Sequence, residues 1–572
     1  MHGVNLPIQD INGEPLNDEQ RQYLEGFFAG LAARGVRFSD LEPAPLPEKK
    51  VSPDDLIFEE RVKREQHPLD AYPQLLENAA FNQAPDKEDV FRFKWNGLFY
   101  LAPNKEAFMA RLRIPGGVLK TFQLRELAQV ARELTTGYVQ ITTRANLQMR
   151  LIEPKDAPEV LRRIQSVGLH TRGAGADNIR NLTANPTAGL DPHELIDVLP
   201  FCGELAQIII NDRSFYDLPR KFNIAFDGGG LIGTVEDTND IGAKAVRTAE
   251  GVFFRLALGG ATGHKAFARD LGVIVPPVEL NQVIVALVRV YIANGNRGDR
   301  KKARLKHLLE TWSLEKYLAE TEKLLGRQLR RVSIDLPAAN ASPNSKLAHS
   351  HIGVYRQKQP GLNYVGVAMP VGQITPRQMI RVAEIADLYG SGEIRLTVWQ
   401  NFIIPNVSDA YVETVKKALR RMGFDTQQSH LRGGLIACTG NSYCKYAQSN
   451  TKGHAVALAD YLEKKLTLDQ PVNIHLTGCP HSCAQHYMGD IGLLGTKVKG
   501  EEAYHVFVGG GFGANQAVGR QVFSGISFEE LKTTLEKMLK GYLRHRTPGE
   551  RFQKFTQRHD LNTLQAIFSN EE

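Results

Sequence analysis

The chain has 572 residues, 42% of them hydrophobic, with 70 Lys and Arg against 63 Asp and Glu. This length exceeds one hydrophobic core and predicts two to four domains that can enclose a large cofactor. The net charge of +7 favours acidic partners without making the chain a polybasic nucleic-acid binder. The sequence shows no leader-like start and no run of about eighteen apolar residues, and we therefore expect a cytoplasmic protein.

The N-terminal region predicts a helix followed by a linker. LNDEQRQYLEGFFAGLAARG, at residues 16–35, has the composition of a helix that packs on a surface. The Pro-rich stretch SDLEPAPLPEKKVSPDD, at residues 39–55, marks a domain boundary. We therefore assign residues 1–85 to a helical arm and linker.

An internal repeat occupies the next part of the chain. A displacement of 255 positions aligns IPGGVLKTFQLRELAQVARELTTG with MPVGQITPRQMIRVAEIADLYGSG and continues without gaps to Gly168 over Gly423. Each copy predicts a helix near residues 121–134 or 376–389, a strand near 138–143 or 393–398, and a second helix. Two duplicated halves at 86–180 and 341–430 explain the pattern, with chance similarity between two βαβ units as the alternative. The identities include Pro115/Pro370, Gly117/Gly372, Gly137/Gly392, Thr142/Thr397 and Asn146/Asn401.

Residues 181–340 and 431–572 predict two further α/β domains. The first alternates strands with helices, contains Cys202 as a buried core thiol, and ends in the basic stretch NGNRGDRKKARLKHLL. The second predicts a helix near residues 453–465 and a buried strand in PVNIHLTG. Pro480 suits the first turn of a helix, whose positive end would face the cysteines beside it.

Four of the five cysteines form two close pairs. Cys438 and Cys444 lie in CTGNSYC, and Cys479 and Cys483 lie in CPHSC. Two thiolate pairs about 35 residues apart suit an iron-sulfur cluster. The gap after Cys438 fits tetrathiolate zinc poorly, since zinc knuckles usually have two to four intervening residues. Zinc and a pair of disulfides remain as alternatives.

The stretches LTGCPHSCAQHYMGDIGLLG and ACTGNSYC resemble the paired motifs of the siroheme-containing nitrite and sulfite reductases. The resemblance implies that all four cysteines hold one 4Fe-4S cluster and that Cys483 also bridges to the iron of siroheme. It further implies an α+β (α/β) protein with the three-domain siroheme reductase fold, in which ferredoxin-like halves are related by a pseudo-twofold axis. Residues 181–340 would then bind siroheme, and residues 431–572 would bind the cluster and siroheme.

The resemblance also assigns substrate-binding residues. Arg111 in MARLRIPGG, Arg180 in GADNIRN and Lys221 in LPRKFN match the cations that bind the oxyanion and supply protons. Asn223 stands where similar sulfite reductases carry a second lysine and nitrite reductases carry asparagine. Because nitrite is a monoanion and sulfite is partly dianionic near neutral pH, a neutral amide favours nitrite. RFKWNGLF and GADNIRNLTANPTAGLDPHE also resemble the nitrite-reducing branch.

Siroheme carries eight carboxylates, so its pocket should be rich in cations and backbone amides. The resemblance places several residues at or near the macrocycle, with Gly511 in the glycine turn that approaches it: Arg113, Arg144, Asn146, Asn296, Arg297, Arg300 and Lys301. For the run from Arg297 to Lys306, a solvated helix face or a docking patch for an electron donor is an equal alternative. The same glycine turn, YHVFVGGGFGANQ, lacks the third glycine of a dinucleotide-binding loop, which excludes that interpretation.

The resemblance implies an assimilatory nitrite reductase that converts nitrite to ammonia by six single-electron steps. No flavin or nicotinamide domain is evident in the sequence, so electrons would come from another protein. Small acidic ferredoxin is the expected donor, with flavodoxin or a reductase subunit as alternatives. Sulfite reduction by the same architecture is the alternative activity, and a non-catalytic electron-transfer or siroheme-sensing protein is the alternative from another class.

Overall fold

The computed structural model describes residues 56–101, 106–332, 351–427 and 430–569, together with residues 10, 11, 14, 15, 18 and 21. The chain divides into two compact units, Met1–Ser52 and Pro53–Glu572. In the first unit, Asp10–Ile11 pairs antiparallel with Glu14–Pro15. The predicted arm helix and Pro-rich linker lie outside the described residues, apart from residues 18 and 21.

The repeat forms two five-stranded antiparallel sheets. The first-half sheet has the strand order Gln373–Ile374, Val139–Ile141, Leu147–Ile152, Phe108–Arg111, Leu98–Tyr100. The second-half sheet has the order Gly353–Arg356, Leu362–Val367, Phe402–Ser408, Glu393–Leu396, Val118–Lys120. Each half therefore gives one edge strand to the sheet of the other half, which joins the halves through backbone hydrogen bonds.

The helices of the two halves confirm the predicted duplication. Thr121–Leu134 and Pro376–Tyr389 have bounds 255 residues apart and pack on each other, and each is followed by a second helix, Ala157–Ser166 or Val412–Arg420. Identical residues close the same turn in both halves: the Thr142 amide donates to the Asn146 carbonyl, and Thr397 donates to Asn401, both at 2.9 Å. One hydrophobic core includes apolar side chains of both halves.

Two mixed sheets carry the remaining domains. The six-stranded sheet has the order Arg330–Arg331, Arg269–Val275, Gly251–Leu258, Ile241–Thr248, Ile224–Asp227, Thr183–Ala184. The cysteine-domain sheet has the order Leu435–Ala437, Ile474–Thr477, Ile491–Val498, Glu501–Val508, Arg520–Ser527. In each sheet three strands run parallel at one edge and the others are antiparallel.

Helices cover these sheets and precede the first half. Phe58–Glu65 and Tyr72–Ala80 lie before the first half, and Lys87–Arg92 lies at its start. The six-stranded sheet is accompanied by Leu199–Asn211, Leu280–Asn294, Leu305–Thr311 and Leu314–Leu325. The cysteine-domain sheet is accompanied by Thr451–Lys465, Phe528–His545, Phe552–Arg558 and Leu561–Ser569. None of the helices among the described residues has the length and apolarity needed to cross a membrane.

The two mixed sheets are themselves duplicates, at a displacement of 250 residues. Strand Ile241–Thr248 corresponds to Ile491–Val498, and Gly251–Leu258 corresponds to Glu501–Val508. The sequence signal is the shared Asp-Ile-Gly at residues 240–242 and 490–492. At Gly242 and Gly492 a Cβ would meet a backbone carbonyl at 2.7 or 2.0 Å, so both positions need glycine. Sequence reasoning missed this second repeat.

The helix predicted to begin at Pro480 is absent from the structure. Residues 479–485 form two consecutive turns instead, in which the Ser482 amide donates to the Cys479 carbonyl and the Gln485 amide donates to the Ser482 carbonyl. Ser482 and Gln485 have φ angles of 53° and 57°, which a right-handed helix does not allow. Proline at a helix start and proline in a turn have the same local sequence pattern, so tertiary context decides between them.

Candidate cofactor and substrate site

The four paired cysteines lie at one edge of the cysteine-domain sheet. Cys438 follows strand Leu435–Ala437, and Cys479 follows the neighbouring parallel strand Ile474–Thr477. The carboxyl ends of parallel strands meet at the same sheet edge, which brings the two pairs together. The negative charges of Cys438, Cys444 and Cys483 all act on the Cys479 thiol, and burial together with these charges raises its pKa to about 12.

The spacing of these thiols suits a cluster better than a single ion. Within the described residues, no three His, Cys, Asp or Glu side chains are close enough to hold one metal ion. A 4Fe-4S cluster needs each thiolate on a different iron, so its ligands stand farther apart than those of zinc. Polar groups also face the sulfurs: the Gly478 amide donates to Cys438 Sγ at 3.2 Å, and His481 Nδ1 lies 3.4 Å from Cys479 Sγ. The donor set therefore fits an iron-sulfur cluster.

Cys483 lies where the cysteine domain meets the first half and the six-stranded sheet. Thr143 Oγ1 donates to the Cys483 carbonyl at 3.0 Å. The thiol is open to solvent on one side, although enough protein surrounds it to raise its pKa. Lys221 and Arg111 lower this pKa through their positive charge. The structure thus brings predicted substrate cations to the cysteine that the sequence assigns as the shared ligand.

Two of the cations are held by the same short segment of backbone. Arg111, at the end of strand Phe108–Arg111, donates to the Ala174 carbonyl at 3.3 Å and lies 4.5 Å from the Phe99 ring centroid. Arg180 donates to the carbonyls of Ala174 and Ala176 at 2.6 and 2.7 Å. These bonds fix both guanidinium groups without neutralising them.

Burial and mutual repulsion make this group of cations ready to receive an anion. Burial lowers the pKa of Arg111 and of Arg144 to about 10. It lowers the pKa of Lys221 to about 7, with further contributions from the charges of Arg304, Arg180 and Arg144. A bound anion would relieve the repulsion and restore the charge on Lys221. The arrangement is therefore a group of buried cations that an anion would stabilise.

Asn223 lies two residues after Lys221, and the intervening Phe222 packs in the core. Because successive side chains of an extended chain alternate in direction, we expect Lys221 and Asn223 to share a side. The backbone N–H of Asn223 donates to Asp240 Oδ2 at 2.9 Å. Asn473 makes the same backbone bond to Asp490 in the duplicated sheet, and its side chain also bonds to Asp490 at 2.7 Å. In the described part of the chain the Asn223 side chain forms no equivalent hydrogen bond to Asp240, which is instead bound by Arg304 at 2.8 Å.

The residues predicted to contact siroheme differ from one another in their contacts and burial. Arg144 donates to Asn239 Oδ1 at 2.7 Å and lies among the cations near Cys483. Arg113 is buried with its guanidinium on the carbonyls of residues 172 and 179. Asn146 supports the turn described above. A Cβ at Gly511 would meet Gln553 Nε2 at 1.9 Å and the Asn515 carbonyl at 2.2 Å, so this glycine is needed for packing within its own domain.

The basic run after residue 295 is bound mainly to carboxylates. Arg297 donates to Glu60 at 3.0 Å and to Asp217 at 3.1 Å. Arg300 forms two bonds of 2.8 Å to Asp177. Asn296 is exposed and accepts the amides of residues 298 and 299, and Lys301 is also exposed. These contacts hold the run against the helices before the first half, and its proposed part in siroheme binding stays a prediction.

Three cations near the site were not singled out from the sequence. Arg304 is buried behind Lys221 as the partner of Asp240. Arg150, in strand Leu147–Ile152, and Lys452, in helix Thr451–Lys465, are buried beside the segment that contains Cys438 and Cys444. Arg304 lies within the basic run Arg297 to Lys306, whereas the local sequence of Arg150 and Lys452 gives no signal, since charged residues of a strand or helix are usually exposed.

Family models and relatives agree with this geometry. The nitrite and sulphite reductase 4Fe-4S domain matches residues 175–329 and 433–572, which contain every strand of the two mixed sheets except Arg330–Arg331. The nitrite/sulfite reductase ferredoxin-like half domain matches residues 100–167 and 355–422, which lie within the two halves. The chain belongs to the nitrite and sulphite reductase family. Membership confirms the predicted fold and the predicted cofactors, a 4Fe-4S cluster and siroheme.

The chain is similar to several members of known description. It is 36% identical to the ferredoxin–nitrite reductase of Synechococcus elongatus over 84% of this chain and 95% of that protein. It is 34% identical to sulfite reductase [ferredoxin] 2 of Mycolicibacterium paratuberculosis, over 84% of this chain and 90% of that one. Among solved structures, the NirA protein of Mycobacterium tuberculosis matches with a TM-score of 0.82 and 30% identity, over 89% of this chain and 97% of that chain.

Proposed function

We propose that this protein is an assimilatory nitrite reductase, which reduces nitrite to ammonia with six electrons supplied one at a time by reduced ferredoxin. The observation that carries the proposal is the group of cations around Cys483, in which neutral Asn223 lies two residues after Lys221. Siroheme and the cluster supply the redox chemistry when bound. The protein supplies the anion site, the orientation of the substrate and the protons.

Each side chain has a role that its contacts support. Arg111 and Arg180 are fixed donors, because backbone carbonyls hold them in place while further N–H groups stay available for an oxyanion. Lys221, with a pKa of about 7, can hold a proton in the presence of an anion and release it near neutral pH. Asn223 offers a hydrogen bond without adding a charge.

The absence of a charge at residue 223 favours nitrite over sulfite. Lys221 is already destabilised by Arg304, Arg180 and Arg144, and a second lysine beside it would increase the positive potential in the pocket. A larger potential stabilises a dianion more than a monoanion, since the interaction energy is proportional to the ligand charge. The similarity to the Synechococcus elongatus nitrite reductase agrees with this choice.

Sulfite reductase is the second candidate, and a specific observation supports it. A relative named as a sulfite reductase covers as much of this chain as the nitrite reductase does, at 34% against 36% identity. The two activities use the same cofactors and fold, so the overall similarity discriminates between them weakly. Neutral Asn223 supports nitrite as the substrate, and a measurement of the substrate ratio tests this choice.

The proposed electron donor is a small acidic ferredoxin, as named for the relatives. The chain has a net charge of +7, and Lys445 and Tyr446 are exposed directly after the cluster ligand Cys444. A positive surface near the cluster attracts an acidic protein and shortens the route for the electron. Flavodoxin, which is also acidic, is the alternative donor. We propose a cytoplasmic location for the protein.

The substitution Asn223→Lys tests the substrate assignment, with Asn223→Gln as the matched control that keeps the amide. We expect the lysine variant to raise the ratio of kcat/KM for sulfite to kcat/KM for nitrite by about tenfold or more, which corresponds to about 1.4 kcal/mol. The glutamine variant should keep the ratio close to that of the unmodified protein. An unchanged ratio in the lysine variant, with both cofactors present by absorbance, contradicts the role given to Asn223.

A further inference from the structure

Two buried cations beside the cluster cysteines have no carboxylate partner among the described residues. Arg150 is 4% exposed and Lys452 is 7% exposed. Two other buried cations form close ion pairs, Arg304 with Asp240 at 2.8 Å and Lys63 with Glu60 at 2.6 Å, whereas buried Arg113 donates to backbone carbonyls. Arg150 and Lys452 therefore differ from the general rule that a buried charge is paired.

Arg150 reaches the cluster segment from the first-half sheet. Its guanidinium donates to Gln140 Oε1 at 3.0 Å, to Gln148 Oε1 at 2.7 Å and to Thr439 Oγ1 at 2.7 Å. It also lies 5.7 Å from the ring centroid of Tyr443. Thr439 follows Cys438 and Tyr443 precedes Cys444, so Arg150 contacts both ends of this cysteine loop. All of these partners are neutral, and the arginine charge stays uncompensated.

Lys452 approaches the same loop from inside the cysteine domain. It occupies the first turn of helix Thr451–Lys465, and its ammonium group donates to the Ala437 carbonyl at 3.3 Å and to the Val371 carbonyl. Ala437 directly precedes Cys438. The preceding residue, Thr451, donates to the Cys438 carbonyl at 2.8 Å. The lysine charge is therefore buried next to the first cysteine of the loop and is bound only to neutral carbonyl groups.

The electrostatic surroundings of the two side chains indicate where an anion would stabilise them. Cysteine and tyrosine are the acidic groups that act on them: Cys444, Tyr138 and Tyr443 on Arg150, and Cys438 on Lys452. The two cations also repel each other. Two like charges buried together without an anion are unfavourable. An anion at the cysteines, between the two cations and their domains, would stabilise both.

We propose that Arg150 and Lys452 are the counter-cations of the 4Fe-4S cluster and that their charges raise its reduction potential. A cluster held by four thiolates is anionic and gains one more negative charge when it takes up an electron. A buried cation stabilises the reduced form more than the oxidised form, because the attraction grows with the charge. The electron comes from the donor protein, and neither side chain gives up a proton or forms a bond.

The test is a redox titration of the cluster in the holoenzyme, followed by the electron paramagnetic resonance signal of the reduced cluster, without nitrite or sulfite. The variants are Arg150→Met and Lys452→Met, with Arg150→Lys as the variant that keeps the charge. Arg162→Gln removes an arginine that is 65% exposed on a helix of the same half and serves as the control. The readout does not depend on which substrate the enzyme reduces.

We expect each methionine variant to shift the reduction equilibrium about tenfold toward the oxidised cluster, which is about 59 mV more negative for a one-electron couple. Arg150→Lys should shift it less, and Arg162→Gln should leave it unchanged. Equal shifts in Arg150→Met and Arg150→Lys, or no shift in the methionine variants, would overturn the proposal. If Arg150→Met is isolated without a cluster, recovery of iron content in Arg150→Lys supports a role of the charge, and failure to recover it contradicts that role.

Discussion

Asp240 is the buried carboxylate behind the substrate cations, and Asp240→Asn removes its charge with little change in shape. Asp240 is 0% exposed and accepts hydrogen bonds from Arg304 at 3.2 and 2.8 Å and from the Asn223 amide at 2.9 Å. The substitution leaves Arg304, which is 6% exposed, as a buried cation without its partner. Breaking a buried pair in this way costs about 3–5 kcal/mol.

The second duplication supplies a matched control. Asp490 occupies the equivalent position in the cysteine-domain sheet and accepts the Asn473 amide at 2.9 Å and the Asn473 side chain at 2.7 Å. Among the described residues no arginine or lysine forms an ion pair with it, and burial raises its pKa to about 6. Because the folded pKa lies above the unfolded value, the ionised carboxylate destabilises the fold above about pH 6 and the cost disappears below about pH 4. Asp490→Asn should therefore be neutral or stabilising at pH 8.

Hydrogen exchange at equivalent backbone amides measures how much Asp240→Asn and Asp490→Asn each destabilise the surrounding structure. The Ile241 and Gly259 amides report on the Asp240 region, and the Ile491 and Gly509 amides report on the Asp490 region. We expect Asp240→Asn to speed exchange at its two amides by about a hundredfold or more at pH 8, since about 1.4 kcal/mol corresponds to tenfold. Asp490→Asn should not speed exchange at the other pair. Equal acceleration in both variants, or none in Asp240→Asn, would refute the reasoning from the buried ion pair.

Three other substitutions test the site. Lys221→Met should lower kcat/KM for nitrite by about a hundredfold while both cofactors stay bound, because one donor to the oxyanion is lost; unchanged kinetics would exclude this role. Glu502→Ala should lower the iron content per chain. Glu502 accepts hydrogen bonds from the Asn441 side chain and the Asn450 backbone N–H, both at 2.6 Å, and thereby holds the loop of Cys438 and Cys444. Glu502→Gln should lose less iron. Cys202→Ala should keep its full iron content, because this thiol is buried in the six-stranded domain with a pKa of about 12; iron loss would give it a part in the cluster.

Much of the fold follows from patterns that are local in sequence. The apolar period of helices Thr121–Leu134 and Pro376–Tyr389 and the shared turn residues predict both halves, because the same local interactions form in each copy. The exchange of edge strands between the halves could not be predicted in this way. The register of Val118–Lys120 against Glu393–Leu396 is set by contacts across more than 270 residues, and no local pattern encodes it.

In the candidate site, too, features that are local in sequence could be predicted, and features that depend on tertiary contacts could not. The cysteine spacing and the resemblance selected residues that the structure brings together, since Cys438, Cys444, Lys221 and Arg111 all act electrostatically on Cys483. The sequence did not show that Arg297 and Arg300 are bound to Asp217 and Asp177, since basic residues look alike until their acidic partners are located. It also gave no sign of Arg150 and Lys452, because burial of a charge depends on tertiary packing.

A comparison of two substrates is the most direct test of the proposal that this protein is a nitrite reductase. The holoenzyme is supplied with dithionite-reduced ferredoxin and with nitrite or sulfite, and the rates of ammonia and sulfide formation are recorded at steady state. We predict a kcat/KM for nitrite that is at least about tenfold larger than that for sulfite, because residue 223 is neutral. A larger kcat/KM for sulfite would contradict the proposed substrate, although the assignment of the family and the cofactors would stand.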